Sequence, residues 1–292
     1  MKPIFMTYTK NDIINLAILM IVGVVVIPMF VSSGYWYTSI LIPWLCLALA
    51  TIGQQIIMGY TGQLALGAAG FMAAGAFACF NLILRVPGIP FVGALLISGL
   101  IAAAFGILFG LPSLRVRGIY LMVAALASQF FIIWMIDKFG WFKNYDSSGI
   151  ITAQDIVIMG KSFTSPVEMY LVIVAVVTPM TLLAMNMARG STGRNWMSVR
   201  DMDIAAESMG VSLLKTKLQA FAISSFYCGV AGALFAINYE ILTEQNLNTV
   251  MSFQVLLATY IGGVGFFLGP VFGAILFTLL QTVIGLQTDL WA

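Results

Sequence analysis

Histidine does not occur in this 292-residue sequence, and only 8% of its residues are charged. The first absence removes the commonest metal ligand and proton shuttle. It also removes the usual base from any nucleophile–base pair. No GxxxxGK[ST] loop is present to cradle a nucleotide, so the chain by itself is expected to hydrolyse nothing. The second absence excludes a water-facing surface, because soluble domains carry about 25% charged residues. Cysteine is scarce: Cys46, Cys79 and Cys228 are far apart, lack a CxxC pair and lie in apolar segments. They read as small packing residues rather than disulfide or metal ligands. Alternating polarity, the mark of a transmembrane barrel, is missing too. The net charge of +2 points to no nucleic-acid partner.

What remains is hydrophobic, at 61% of residues. A membrane-crossing helix needs roughly 20 apolar residues. Candidate spans are 13–31, 39–58, 64–84, 91–111, 119–136, 169–187 and 218–237, followed by a long apolar region, 253–287. The fold class is all-α: a polytopic transmembrane bundle of about eight to ten helices, one membrane domain over 1–292 with lipid around it. The run Ile13–Val31 is longer than a signal peptide requires and reads as a retained first helix. With the N-terminus in the cytoplasm, nine Lys and Arg fall in inner loops (Lys2, Lys10, Arg115, Arg117, Arg189, Arg194, Arg200, Lys215, Lys217) and four in outer ones. That asymmetry favours this orientation. The long outer loop, 137–168, carries balanced charges together with Trp141, Phe142 and Tyr145, which suit a membrane interface.

Glycine interrupts two apolar segments, at Gly59-Tyr60-Thr61-Gly62-Gln63 and at Gly262-Gly263-Val264-Gly265 with Gly269-Pro270. Broken backbone at membrane depth is tolerated only where protein or a cavity covers it. The early glycines (Gly59, Gly62, Gly67, Gly70, Gly75) read either as a close-packing face or as an unwound part of a solute path. In the second reading Thr61, Gly62 and Gln63 line the path, joined by Gln129, which sits beside Ser128 in the fifth span. The loose likeness of 62–77 to 262–277 raises an internal repeat. No span has an acid or base in its middle, which argues against a proton-driven carrier. Gln54, Gln55, Gln254 and Gln281 are among the neutral polar groups, and most of this set is expected to bond across helices.

The inner loop, 188–217, holds the densest charge. Met202, Ala206, Met209 and Leu213 recur at helical spacing, with Arg200, Asp203 and Glu207 opposite. Gly210 splits the segment, so two short helices or a helix and a turn are expected. The segment reads either as an amphipathic helix on the membrane surface or as a docking helix for a soluble partner. The acidic residues on its polar face lean towards the partner.

Four blocks resemble the LivM-type permeases of branched-chain amino acid ABC transporters: 62–77, LPSLRVRGIYLMVAALA (111–127), 200–236 and GGVGFFLGPVFGA (262–274). The third also resembles the EAA-type loop of ABC importer permeases. The resemblance implies alternating access driven from outside the chain. It implies a second, LivH-like permease, two cytoplasmic ATPase subunits that bind the ATP and magnesium, an extracytoplasmic binding protein, and a bacterial or archaeal cytoplasmic (inner) membrane. No cofactor is expected in the chain itself. Docking falls to Ala205, Ala206, Glu207 and Gly210, flanked by Arg200 and Asp201. Two features depart from the family. The TGG-type sequence of the outer loop is replaced by NYDSSGIITAQDI (144–156), where only Gly149 is similar, and this leaves urea or short amides as alternative solutes. Family members often carry a further helix and a basic tail beyond the point where this sequence stops, Trp291-Ala292. A self-contained secondary carrier is the reading furthest from this one.

Overall fold

A computed structural model describes residues 34–86, 88–113, 118–143, 145, 151–152, 157–158, 161–162, 165–239, 241–242, 247–266 and 268–291. The expected span 13–31 lies outside the described residues, as do Lys2, Lys10, Arg115, Arg117 and Gly149. Among those described, six helices are long and apolar enough to cross a membrane. They are α1 (Gly34–Tyr60), α2 (Ala68–Arg85), α3 (Phe91–Ser113), α4 (Ile119–Lys138), α5 (Pro166–Arg189) and the sixth long helix, Leu213–Tyr239. Between α5 and that helix come two short ones, α6 (Ser191–Asp201) and α7 (Asp203–Ser208), so Leu213–Tyr239 is α8. The expected long final region resolves into a hairpin, α9 (Thr249–Gly262) and α10 (Gly269–Trp291).

Helix α8 is the centre of the bundle, and small residues put it there. A Cβ on Gly75 would lie 2.2 Å from the Gly229 carbonyl oxygen, and one on Gly232 would lie 2.1 Å from that of Met72. One on Gly106 would meet Ser225 Oγ at 2.2 Å. Backbones of α2, α3 and α8 therefore approach as closely as only glycine permits. This is how membrane helices gain packing energy when lipid is as apolar as their side chains. Leu100, Leu108, Val123, Phe130 and Trp134 of α3 and α4 stay exposed, as suits a lipid-facing side.

The hairpin is closed in the same way. A Cβ on Gly262 would sit 1.9 Å from the Gly269 carbonyl oxygen, and one on Gly273 1.9 Å from that of Ala258. Helix α9 is capped by Asn248, whose side chain accepts from the Met251 N–H at 3.3 Å.

Four two-residue strands lie outside the helices. Ile151–Thr152 (β1) pairs with Ile241–Leu242 (β4), and Val157–Ile158 (β2) with Lys161–Ser162 (β3). The first pair joins two loops expected on the same side of the membrane. Near them the Arg85 guanidinium covers the Trp141 ring at 4.1 Å and donates to the Trp141 carbonyl at 2.6 Å. Asp137 pairs with Lys143.

Candidate functional site

Helix α1 is one continuous helical run with two π-helical segments, Tyr37–Leu41 and Ile56–Tyr60. Pro43, which has no N–H to donate, follows the first. The second ends the helix: Gly62 takes φ +68° and the chain is irregular until Ala68. π segments recur at functional sites. The expected unwinding is therefore present, and part of its backbone is paired. Gln54 Nε2 donates to the Ala65 carbonyl at 2.6 Å, the Gln63 N–H to that of Ile57 at 3.1 Å, and the Ala69 N–H to Ser252 Oγ at 2.8 Å.

Arg200, the last full turn of α6, is directed at this break. Its Nη1 donates to the Gly59 carbonyl at 2.7 Å and its Nε to Asp201 at 2.9 Å. The last carbonyls of a helix lack partners within it and carry the negative end of its dipole. A cationic donor there contributes about 1.5–3 kcal/mol. A cavity of about 330 Å³ opens beside it, lined by Thr61, Gly62, Gln63, Arg200, Asp201 and Lys217 among others. Residues nominated separately for docking and for the path thus lie together. Gln63 is only 6% exposed, and neither polar atom of its amide has a partner among the described residues.

Gln129 lines neither this cavity nor the one at the other end of α1. It is wholly buried: its Oε1 accepts from Ser252 Oγ at 2.6 Å and its Nε2 donates to Thr249 Oγ1 at 3.4 Å. It ties α4 to α9, and a Cβ on Gly70 would lie 2.8 Å from the Gln129 Cα.

The charged segment expected to dock a partner is two short helices, broken at Met202 (φ −150°) as well as at Gly210. Gly210, at φ +86°, ends α7: its N–H reaches the Glu207 carbonyl at 3.0 Å and the Val211 N–H reaches that of Ala206 at 3.0 Å. That double bond is a Schellman stop, which a left-handed glycine permits. The periodic stripe does not form one buried face. Ala206 is buried and Ala205 half-buried, but Met202, Ile204 and Met209 are 71%, 81% and 73% exposed, with Glu207 beside them. The kink at Met202 is the reason, since it takes Met202 off the face that the single-helix spacing assigns. Ile204 was missed by sequence reasoning, for it lies off the apolar stripe of Met202, Ala206, Met209 and Leu213; its charged neighbours Asp203 and Glu207 were the available signal.

At the far end of α1 is a larger cavity, about 560 Å³. Ser39 and Pro43 of α1, Tyr239 of α8, Gln254 of α9, and Thr278 and Gln281 of α10 line it, with no charged residue among the lining. Gln54, Gln55 and Gln129 do bond across the bundle. Gln254 and Gln281 differ, for their amides bond to no other described residue and face the cavity. Among the described residues no group of His, Cys, Asp or Glu is arranged to hold a metal.

With this geometry in hand, the profile of a family described as "Branched-chain amino acid transport system / permease component" matches residues 37–291. The chain belongs to that family. The high-affinity branched-chain amino acid transport system permease protein LivM of Escherichia coli (strain K12) is 29% identical, across 77% of this chain and 58% of its own length. LivM of Salmonella typhimurium (strain LT2) is 28% identical over the same shares. The chain thus spans 58% of the length of these curated relatives. No solved structure matches it. Family membership and the six long apolar helices make this permease-family chain a multi-pass membrane protein.

Proposed function

We propose that the chain is a permease subunit of an ATP-driven importer for branched-chain amino acids. It forms one membrane domain and works beside a second, LivH-like permease. Two ATPase subunits bind ATP and magnesium on the cytoplasmic side, and a binding protein delivers solute to the opposite face. The observation that carries this reading is α7, a rigidly stopped helix that holds Met202, Ile204 and Met209 out into solvent next to Glu207. Exposed apolar side chains cost little once a partner covers them, and a charged rim orients that partner. Ala205, Ala206 and Gly210 shape the helix, while Asp201 and Glu207 offer charge. Solute enters at the 560 Å³ cavity and leaves past Thr61, Gly62 and Gln63, with Gln129 fixing the wall between. No span has an acid or base in its middle to harvest an ion gradient, so energy arrives through α7. Alternating access then needs two arrangements of the bundle that bind the ATPases differently.

A second solute class has one observation in its favour: the larger cavity has no charged lining, and the amides and hydroxyls of Ser39, Asn248, Gln254, Thr278 and Gln281, which suit urea or a short amide, stand in it beside apolar Leu47, Phe235 and Val250. The test is reconstitution of the chain with the other subunits in liposomes, with labelled leucine and labelled urea compared. Leucine uptake that needs ATP and every subunit is the expected result. Uptake of urea alone keeps the importer and changes its solute. Uptake by this chain alone, without ATP, refutes the importer reading in favour of a secondary carrier.

A further inference from the structure

The two glycine breaks meet at one side chain. Arg200 binds the carbonyl of Gly59, in the break that ends α1. Its stem lies against Gly62, where an added Cβ would come within 2.9 Å of Arg200 Cγ. Its Nη1 is 3.8 Å from where a Cβ on Gly265 would be, in the break between α9 and α10. Gln55 fastens the two breaks a second time. Its side chain covers Gly59, and its Nε2 donates to the Phe266 carbonyl at 3.4 Å. Gly62 and Gly265 both have positive φ, +68° and +91°, so neither position accepts a side chain without strain, and both leave room for the arginine.

The other end of Arg200's helix is equally fixed. Trp196 and Val199 are buried, and Gly193 packs so closely that a Cβ would fall 1.9 Å from the Ala188 carbonyl oxygen. One residue beyond Asp201 the chain kinks into α7. Movement of α7 therefore acts on a stiff α6 whose tip is Arg200. Helix α1, whose broken end that tip binds, carries Ser39 and Pro43 to the large cavity at its opposite end, and α10, which follows the second break, carries Thr278 and Gln281 there.

We propose that Arg200 is a positioning residue that couples the α7 docking helix to the two glycine breaks, and through α1 and α10 to the distant cavity, rather than a contact to the ATPase itself. This rests on the importer reading. Coupling between sites requires differential contacts in two states, and a guanidinium that donates to one break, lies beside the other and stands two residues before the kink into the docking helix is placed to make such a contact. Its loss leaves ATP hydrolysis and docking in place while solute movement no longer follows.

The test uses the full complex in liposomes and reads leucine imported per ATP hydrolysed, with retention of the ATPase subunits measured on the same samples. Arg200→Met is expected to keep the ATPases bound and to lower the ratio about ten-fold, within the span typical of site-to-site coupling. Arg200→Lys, which keeps one charged donor, recovers part of it. Arg200→Gln is the second variant should Arg200→Met not reach the membrane, and the same drop is expected. An unchanged ratio in Arg200→Met or Arg200→Gln overturns the proposal. So does loss of the ATPase subunits from either variant, which makes Arg200 a docking contact. A wild-type complex with no ATP-dependent uptake refutes the importer reading, and the coupling role with it.

Discussion

The two ends of α1 are built on opposite principles. At the α6 end parts are held closely around a smaller cavity of about 330 Å³: a guanidinium on a helix carbonyl at 2.7 Å, and glycine against glycine in the hairpin beside it. At the other end the same helix borders a cavity of about 560 Å³ whose two glutamine amides, Gln254 and Gln281, have no described partner. Buried polar groups left unpaired cost about 1–3 kcal/mol each, whereas groups lining an open cavity are met by water or solute at little cost. The difference teaches where each kind of residue is tolerated. Precise donors and glycines belong where parts are held against each other. Spare hydrogen-bonding capacity belongs beside a cavity, as at Gln254 and Gln281 and, on the smaller cavity, at Gln63.

That contrast is broken hardest by filling space at the tight end. A Cβ on Gly262 has no room beside the Gly269 carbonyl. Gly262→Leu should therefore cost more than about 4 kcal/mol, in the exceptional range for one substitution. Fluorescence-detected size exclusion in detergent should show no monodisperse protein. A comparable enlargement at the open end should do the reverse. Ser39→Phe, on the cavity wall, is expected to change stability by no more than about 0.5 kcal/mol, as surface substitutions do, yet to cut uptake several-fold. A melting curve unchanged together with uptake unchanged would remove that cavity from the solute's route. Deleting the spare amides is the subtler probe. Gln254→Leu or Gln281→Leu should raise the KM for uptake by up to about ten-fold, the equivalent of one hydrogen bond of 0.5–1.5 kcal/mol. Expression and ATPase binding serve as controls. The smallest effects are the two stops. Gly210→Ala at the tight end and Asn248→Ala at the open end should each cost about 1 kcal/mol, read as a lower thermal midpoint. Gly210→Ala should in addition weaken ATPase docking, while Asn248→Ala should not.

Much of the fold was legible because hydropathy reports membrane depth directly. The expected 91–111 and 119–136 became Phe91–Ser113 and Ile119–Lys138. Error collected where helices continue beyond the apolar layer. The expected 218–237 became Leu213–Tyr239, because Lys215 and Lys217 lie on turns that keep their helical bonds outside it. The final region, 253–287, was legible as broken, since glycines and Gly269-Pro270 mark the break locally. The kink at Met202 was not, although Asp203, which favours a helix start and accepts from the Ile204 N–H, was its local mark. Nor was the inward course of Arg200, because a lone arginine in a charged loop looks solvated until its distant partner at Gly59 is known. Thr61, Gly62 and Gln63 were found through local glycine chemistry. Gln254 and Gln281 look the same in sequence as Gln54 and Gln129, and only packing separates the engaged amides from the spare ones.

The short arm of the hairpin bears on how the protein is made. Helix α9 has 14 residues, about 21 Å at 1.5 Å each, and the apolar layer is about 30 Å thick. It cannot hold a crossing by itself. As the ribosome extrudes it, α9 has to wait for α10, and the two enter lipid as one piece after α1 and α6 have already been delivered. The groove that receives them is thus completed late, by the same segment that brings Gly265 to Arg200. Until then the side of Arg200 that faces Gly265 is uncovered, and a nascent permease stalled before α10 should be the form that membrane quality-control proteases recognise.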